Sequence, residues 1–351
     1  MTVGGALIVY ATVVGFAGPV GFRRAAWPLR APRLGAAAVV AAAWSVPVAL
    51  VLAGVTVFLP TSGLTIDVAH LIGACLGRLR AAYGTPAGAG IATAGQVLTA
   101  GLLLRGAWTA ARVVRRRRAE RRRHRLLVRW AGAHVPELPA VVLEQAEAAA
   151  YAVGGPQRTV VVTRGIVDLL SGPELSAVLA HEHAHLAARH HRLLTAAGLV
   201  AHALPMVPLL RDAPSRVGRL LEMDADELAA AHHEPQVIAS ALVAVATAAL
   251  GDLGTRQGHL PAPQSEEGAP AAGLGGLGIG GRTGGRAILD RVADGRARPS
   301  GGADALARVQ RLLRPPARLS AACRALARTA VATLTVAPLL LAVAPMVFAL
   351  T

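Results

Sequence analysis

His181, Glu182 and His185 stand in the order His-Glu-x-x-His inside the run Leu179 to Leu186. On a helix, residues four apart share a face one turn above each other. His181 and His185 can then aim two imidazoles at one metal ion. Glu182 lies about 100° round the helix from His181, within reach of a water on that metal. Zinc binds neutral imidazole and lowers the pKa of its water to about 7. A carboxylate beside that water can take its proton, and the hydroxide attacks a peptide carbonyl. The local sequence supplies the helix. Ser171-Gly172-Pro173-Glu174 reads as a capped start, and Leu175, Val178, Leu179 and Leu186 form an apolar stripe.

A zinc site of this kind takes a third protein ligand and keeps one position for water. Glu222 is the best candidate, in Leu220-Leu221-Glu222-Met223-Asp224-Ala225-Asp226-Glu227. Glu222 and Asp226 are spaced i, i+4 on one face. Glu222 could ligate while Asp226 accepts the spare N–H of a ligand histidine. The competing reading is an acidic first turn of a helix, which Asp224, Asp226 and Glu227 would suit.

HExxH followed by Glu-x-x-Ala-Asp resembles the gluzincin membrane metallopeptidases, which include the HtpX and CAAX-prenyl-protease branch and the BlaR/MecR antirepressor branch. The run Thr159 to Leu175 leading into the HExxH helix is similar to the antirepressor branch, as is Arg189-His190-His191 after it. The similarity covers roughly residues 135–235. It implies one zinc per chain held by His181, His185 and Glu222, Glu182 as catalytic base, and Asp226 as support. It implies a mainly α, multi-pass membrane protein with a zincin-like metallopeptidase domain that contains a short β-strand region. No residue follows Thr351, so the extracellular sensor domain that some members carry is expected to be absent, and direct β-lactam sensing with it.

Composition agrees with a membrane protein. The chain is 54% hydrophobic yet only 3% aromatic and 16% charged, and its mean hydropathy is +0.48. The formal charge of +16 is carried entirely by arginine. Interleaved aromatics are missing and apolar runs flank the arginines. The charge therefore reads as cytoplasmic loops rather than as direct nucleic-acid binding. Cys75 and Cys323 make no C-x-x-C pattern, so a disulfide framework and a cysteine-based metal site are unsupported.

Taken in order, residues 1–111 form an N-terminal membrane region with helices near 3–22, 34–59 and 87–104. The first lacks the basic start of a cleaved signal and is expected to be retained. A loop or interfacial helix at 60–86 lies between the second and third. Residues 112–130 are a basic juxtamembrane segment. With the Arg23–Arg33 loop, it places the peptidase on the cytoplasmic side of the cell membrane. Residues 131–250 are the peptidase domain. In it, Pro136 to Ala152 reads as helix or loop, Tyr151 to Gly155 as a turn, and Thr159–Thr163 as a strand able to pair with an extended substrate. The apolar stretch 193–210 is expected to be re-entrant or buried at the membrane surface, because one spanning pass would put Glu222 across the bilayer from His181. Residues 251–303 read as a Gly/Pro-rich linker, with a short helix near Ile288–Val292. A helical segment at 304–328, with Asp304 as its cap, and a transmembrane helix at 329–351 complete the chain.

Three functions fit. The first is a membrane zinc endopeptidase whose substrate is a cytoplasmic protein such as a transcriptional repressor. The second is an HtpX-like quality-control protease for membrane proteins. The third is a non-catalytic membrane signalling protein with a vestigial metal site. The expected partners are a protein substrate and the lipid bilayer.

Overall fold

A computed structural model describes residues 3–56, 96–116, 119, 132–134, 139–153, 159–257 and 301–348. Helices dominate, and one four-stranded sheet accompanies them. The chain divides into two compact units. One comprises residues 1–125, 188–224 and 316–351, the other 126–187 and 225–315.

The first unit is built from long apolar helices. They are α1 (Val3–Arg24), the short α2 (Trp27–Arg30), α3 (Pro32–Thr56), α4 (Gln96–Arg116), α7 (His190–Ala203), most of α8 (Pro208–Ala229) and α11 (Ala321–Phe348). Four of these, α1, α3, α4 and α11, are long and apolar enough to cross a bilayer. The protein is thus a mainly α, multi-pass membrane protein. Small residues let its helices approach closely: Ala36, Ala42, Ala43, Ala49 and Ala53 are buried along α3. Gly15 on α1 is another such contact, since a Cβ there would stand 2.8 Å from Val207 Cγ1. The Trp44 indole N–H donates to Ala196 O at 3.2 Å, tying α7 to α3. Arg105 on α4 donates to Ala203 O, satisfying a carbonyl at the C-terminus of α7.

The second unit carries β1 (Gly132–His134), β2 (Val141–Leu143), β3 (Ala150–Val153) and β4 (Thr159–Thr163), in the order β1-β2-β4-β3. β2 runs parallel to β4, and β3 runs antiparallel to it. Val160, Val161 and Val162 are all buried, the pattern of a central strand covered on both faces. The helices of this unit are α5 (Arg164–Leu169), α6 (Gly172–Ala187), the end of α8, α9 (Pro235–Gln257) and α10 (Gly301–Leu313). Leu175, Leu179 and Leu186 of α6 join Val142, Val160, Val162 and Ile166 in one core. Ala177 faces a second cluster with Ala229, Ile238 and Leu312. With two of its faces buried in this way, α6 has a fixed rotation about its axis.

Several expectations change. The stretch read as helix or loop and then turn contains β2 and β3, because their valines and alanines are completed by pairing with β4. β4 is interior to the sheet, with β2 along one side and β3 along the other, so it is not the free edge strand that pairing with an extended substrate calls for. Residues 193–210 form no single long helix: α7 ends at Ala203 and α8 begins at Pro208. The acidic run Asp224–Glu227 lies in the last turns of α8 rather than in a first turn. The third apolar helix is described as Gln96–Arg116, running past residue 104 into the arginine block. α10 begins at Gly301, which puts Asp304 in its first turn rather than at its cap. The segment read as 304–328 is interrupted after Leu313. α11 then starts at Ala321, ahead of the expected 329. The loop at 60–86, most of the basic segment and nearly all of the Gly/Pro-rich linker lie outside the described residues.

Candidate metal centre

α6 starts on the carboxylate half of a capping box. Glu174 Oε2 accepts from the Ser171 backbone N–H at 2.9 Å and from its hydroxyl at 2.7 Å. Its other oxygen accepts from Ser240 Oγ on α9. These hydrogen bonds, Ser240's first, hold the Glu174 carboxyl below its ordinary pKa. The N-terminus of the helix is therefore fixed from two elements.

Two and a half turns along, the imidazoles converge. His181 Nε2 and His185 Nε2 stand 3.2 Å apart, with the rings edge to face at an interplanar angle of 69°. Two nitrogens on one tetrahedral zinc, each about 2.0–2.1 Å from it, would be separated by about 3.3–3.4 Å. The spacing matches that donor geometry. His181 Nδ1 lies 3.0 Å from Asp226 Oδ1, a carboxylate whose side chain is 2% exposed. An ionised carboxylate only accepts, so Nδ1 carries the proton and Nε2 presents its lone pair. Asp226 thus selects the tautomer that a metal needs.

α8 runs unbroken from Pro208 to Ala229, so Glu222 sits one turn before Asp226 on the same face. The atoms that His181, His185 and Glu222 offer as ligands all lie within 4.8 Å of one another. Two neutral imidazoles and a carboxylate are a donor set that fits zinc. Glu182 is half-buried on α6, beside His181.

Sequence reasoning missed Arg308. Its Nε donates to Asp226 Oδ2 at 2.7 Å and an Nη donates to Oδ1 at 2.6 Å, a two-pronged pair across 82 positions of sequence. Burial alone would raise the Asp226 carboxyl pKa. The hydrogen bonds from Arg308 and His181 outweigh it and hold the group below the usual carboxylate range. Next to it, Arg311 pairs with Glu227. Three acids at the C-terminal end of a helix oppose its macrodipole, and each has a partner here. The third, Asp224, accepts from His190 at 2.8 Å, where the imidazole is 1% exposed. His190 is therefore a buried structural residue. His183 and His202 bond to backbone carbonyls of their own helices.

This geometry lies in a stretch that also has known relatives. Residues 115–210 match the profile of Peptidase family M48. Over those residues the chain is similar to M48 peptidases. The matched segment contains His181, Glu182 and His185 and ends before Glu222 and Asp226. The chain is also similar to the Protease HtpX homolog of Aquifex aeolicus (strain VF5), 40% identical over 78 residues. That alignment covers 22% of this chain and 26% of the relative, so the chain spans about a quarter of the length of the curated protein it matches. No solved structure matches.

Proposed function

We propose that the protein is a membrane-embedded zinc-dependent endopeptidase that hydrolyses peptide bonds of a protein substrate at the cytoplasmic face of the cell membrane. The observation that carries this reading is the convergence of His181 and His185 Nε2 inside a segment that matches a peptidase family, with Asp226 from beyond that segment behind His181. A bound zinc would supply a polarised, acidified water at neutral pH. The chain's own residues do the rest. His181, His185 and Glu222 would hold the ion, Asp226 would fix the His181 tautomer, and Glu182 would take a proton from the attacking water and deliver it to the leaving amine. Cytoplasmic placement rests on the arginines that follow α1 and continue beyond α4.

Bound zinc per chain, measured on detergent-purified protein, tests the ligand set. Wild type is expected to hold one zinc, Glu182→Gln to keep it, and His185→Ala and Glu222→Ala to lose it. Full zinc in Glu222→Ala would remove Glu222 from the site. Peptidase activity is expected to fall by about 10²–10⁴-fold in Glu182→Gln.

For the substrate, the likeness of the Thr159–Leu175 run to the antirepressor branch favours a transcriptional repressor. The similarity to an HtpX homolog supports a second reading, quality control of membrane proteins. The Glu182→Gln protein, used as a trap in cells, separates them. Capture of one defined regulator supports the first, and a broad set of membrane proteins supports the second.

A further inference from the structure

Asp226 is almost fully buried, and on one side it meets the imidazole that presents Nε2 to the site. Its other contact comes from α10, a helix that the ligand motif does not include. A lone buried carboxylate would be free to rotate, and rotation would lose the N–H of His181. The Arg308 fork removes that freedom. It bonds both oxygens at 2.6 and 2.7 Å, so the carboxylate plane is fixed. Arg308 is itself held down: its side chain is 16% exposed. α10 is seated on α9, with Leu312 packed among Ala177, Ala229 and Ile238. The same core therefore fixes α6, the end of α8 and α10.

We propose that Arg308 is a positioning residue of the metal centre. It acts through Asp226 on His181, so that α10, far along the chain from the ligands, sets the affinity and geometry with which the ion is held. The proposal rests on the metal-centre reading above. Arg311 is a natural contrast, because its partner Glu227 has about half its side chain exposed.

The test is zinc affinity of the full-length protein in detergent, by chelator competition, together with the visible absorption of the cobalt(II)-substituted protein. Arg308→Met is expected to weaken zinc binding by about 10–100-fold and to change the cobalt spectrum, whereas Arg311→Met stays within about twofold of wild type. Arg308→Lys keeps the charge without the fork and is expected to lose several-fold. Its milder change also keeps the question answerable if the methionine variant does not fold. In an Asp226→Asn background, either Arg308 substitution is expected to cost less than about twofold, since the route to His181 is already broken. A general packing role would give the same loss in both backgrounds. Unchanged affinity in folded Arg308→Met and Arg308→Lys, or equal losses in both backgrounds, would overturn the proposal and leave the metal centre standing. A wild-type protein that binds no zinc would overturn the metal-centre reading first, and this inference with it.

Discussion

At the scale of single residues, the site is a chain of acceptors and donors in which each group is aimed by the next. Arg308 fixes Asp226, Asp226 fixes the tautomer of His181, and His181 and His185 converge on one point. Glu174 does a comparable job at the start of α6, and its effect is open to pH. Its carboxyl is lowered by hydrogen bonds from Ser240 and Ser171. A depressed acid contributes stability that is present above the unfolded value, about 4.3, and is lost as pH falls through the folded one. The thermal midpoint of Glu174→Gln is therefore expected to lie below that of wild type at pH 6. The gap should narrow as pH falls below about 4.3 and close once the carboxyl is protonated in both states. A gap that persists after that would mean that the ionised carboxylate is not what stabilises the helix start. Ser171→Ala removes the hydroxyl that donates to that carboxylate and is expected to cost about 0.5–1.5 kcal/mol. The histidines, Glu182 and the cap were legible in the sequence because their spacing lies within one helix. Arg308 was not, since no local pattern links positions 82 apart.

At the scale of elements, the break between α6 and α7 deserves a test. Arg189 has φ 56° and ψ 38°, left-handed for a residue with a Cβ. That conformation costs roughly 1–2 kcal/mol for most L-residues and little for glycine. Arg189→Gly is expected to raise stability by about 1 kcal/mol, and Arg189→Val to lower it, in thermal unfolding of the detergent-solubilised protein. A destabilised glycine variant would show that the Arg189 side chain contributes more than its backbone costs. The turn sends the chain from the sheet-covered helix α6 into α7, whose Ala197 and Val200 pack in the core of the first unit. The strand Thr159–Thr163 was legible at its full extent from its β-branched run. β2 and β3 were not, because three or four small apolar residues favour no single conformation until a neighbour pairs with them.

At the scale of the whole molecule, four helices among the described residues are long and apolar enough to cross a bilayer, and they accompany a stretch that matches Peptidase family M48. The proposed orientation puts the arginine-rich segments on the cytoplasmic side. Single cysteines introduced into a protein lacking Cys75 and Cys323 test the orientation with a membrane-impermeant maleimide on intact cells. Gly63→Cys is expected to label from outside, whereas Arg30→Cys is expected to label only after permeabilisation. The reverse pattern would place the peptidase outside the cytoplasm and exclude a cytoplasmic repressor as its substrate. The apolar stretch 193–210 shows how length decides at this scale. Eighteen uncharged residues are enough for a pass, yet α7 has only 14 residues and stops at Ala203 before α8 begins. With no such pass intervening, the ligands of one ion need not lie on opposite faces of a bilayer.

The sequence by itself determined whatever is encoded by spacing within one element or by composition over a long window. That includes the two imidazoles four apart, the carboxylates of Glu222 and Asp226 four apart, the capped start of α6 and the apolar runs. Helix periodicity and the cost of charge in lipid act locally, so a linear reading captures them. Tertiary structure alone decided which way Asp226 faces, which cation holds it, and that β4 is interior rather than an edge. Those outcomes depend on the burial of a charge and the pairing of backbone groups between segments distant in sequence. Their energies arise only once the chain has brought the segments together.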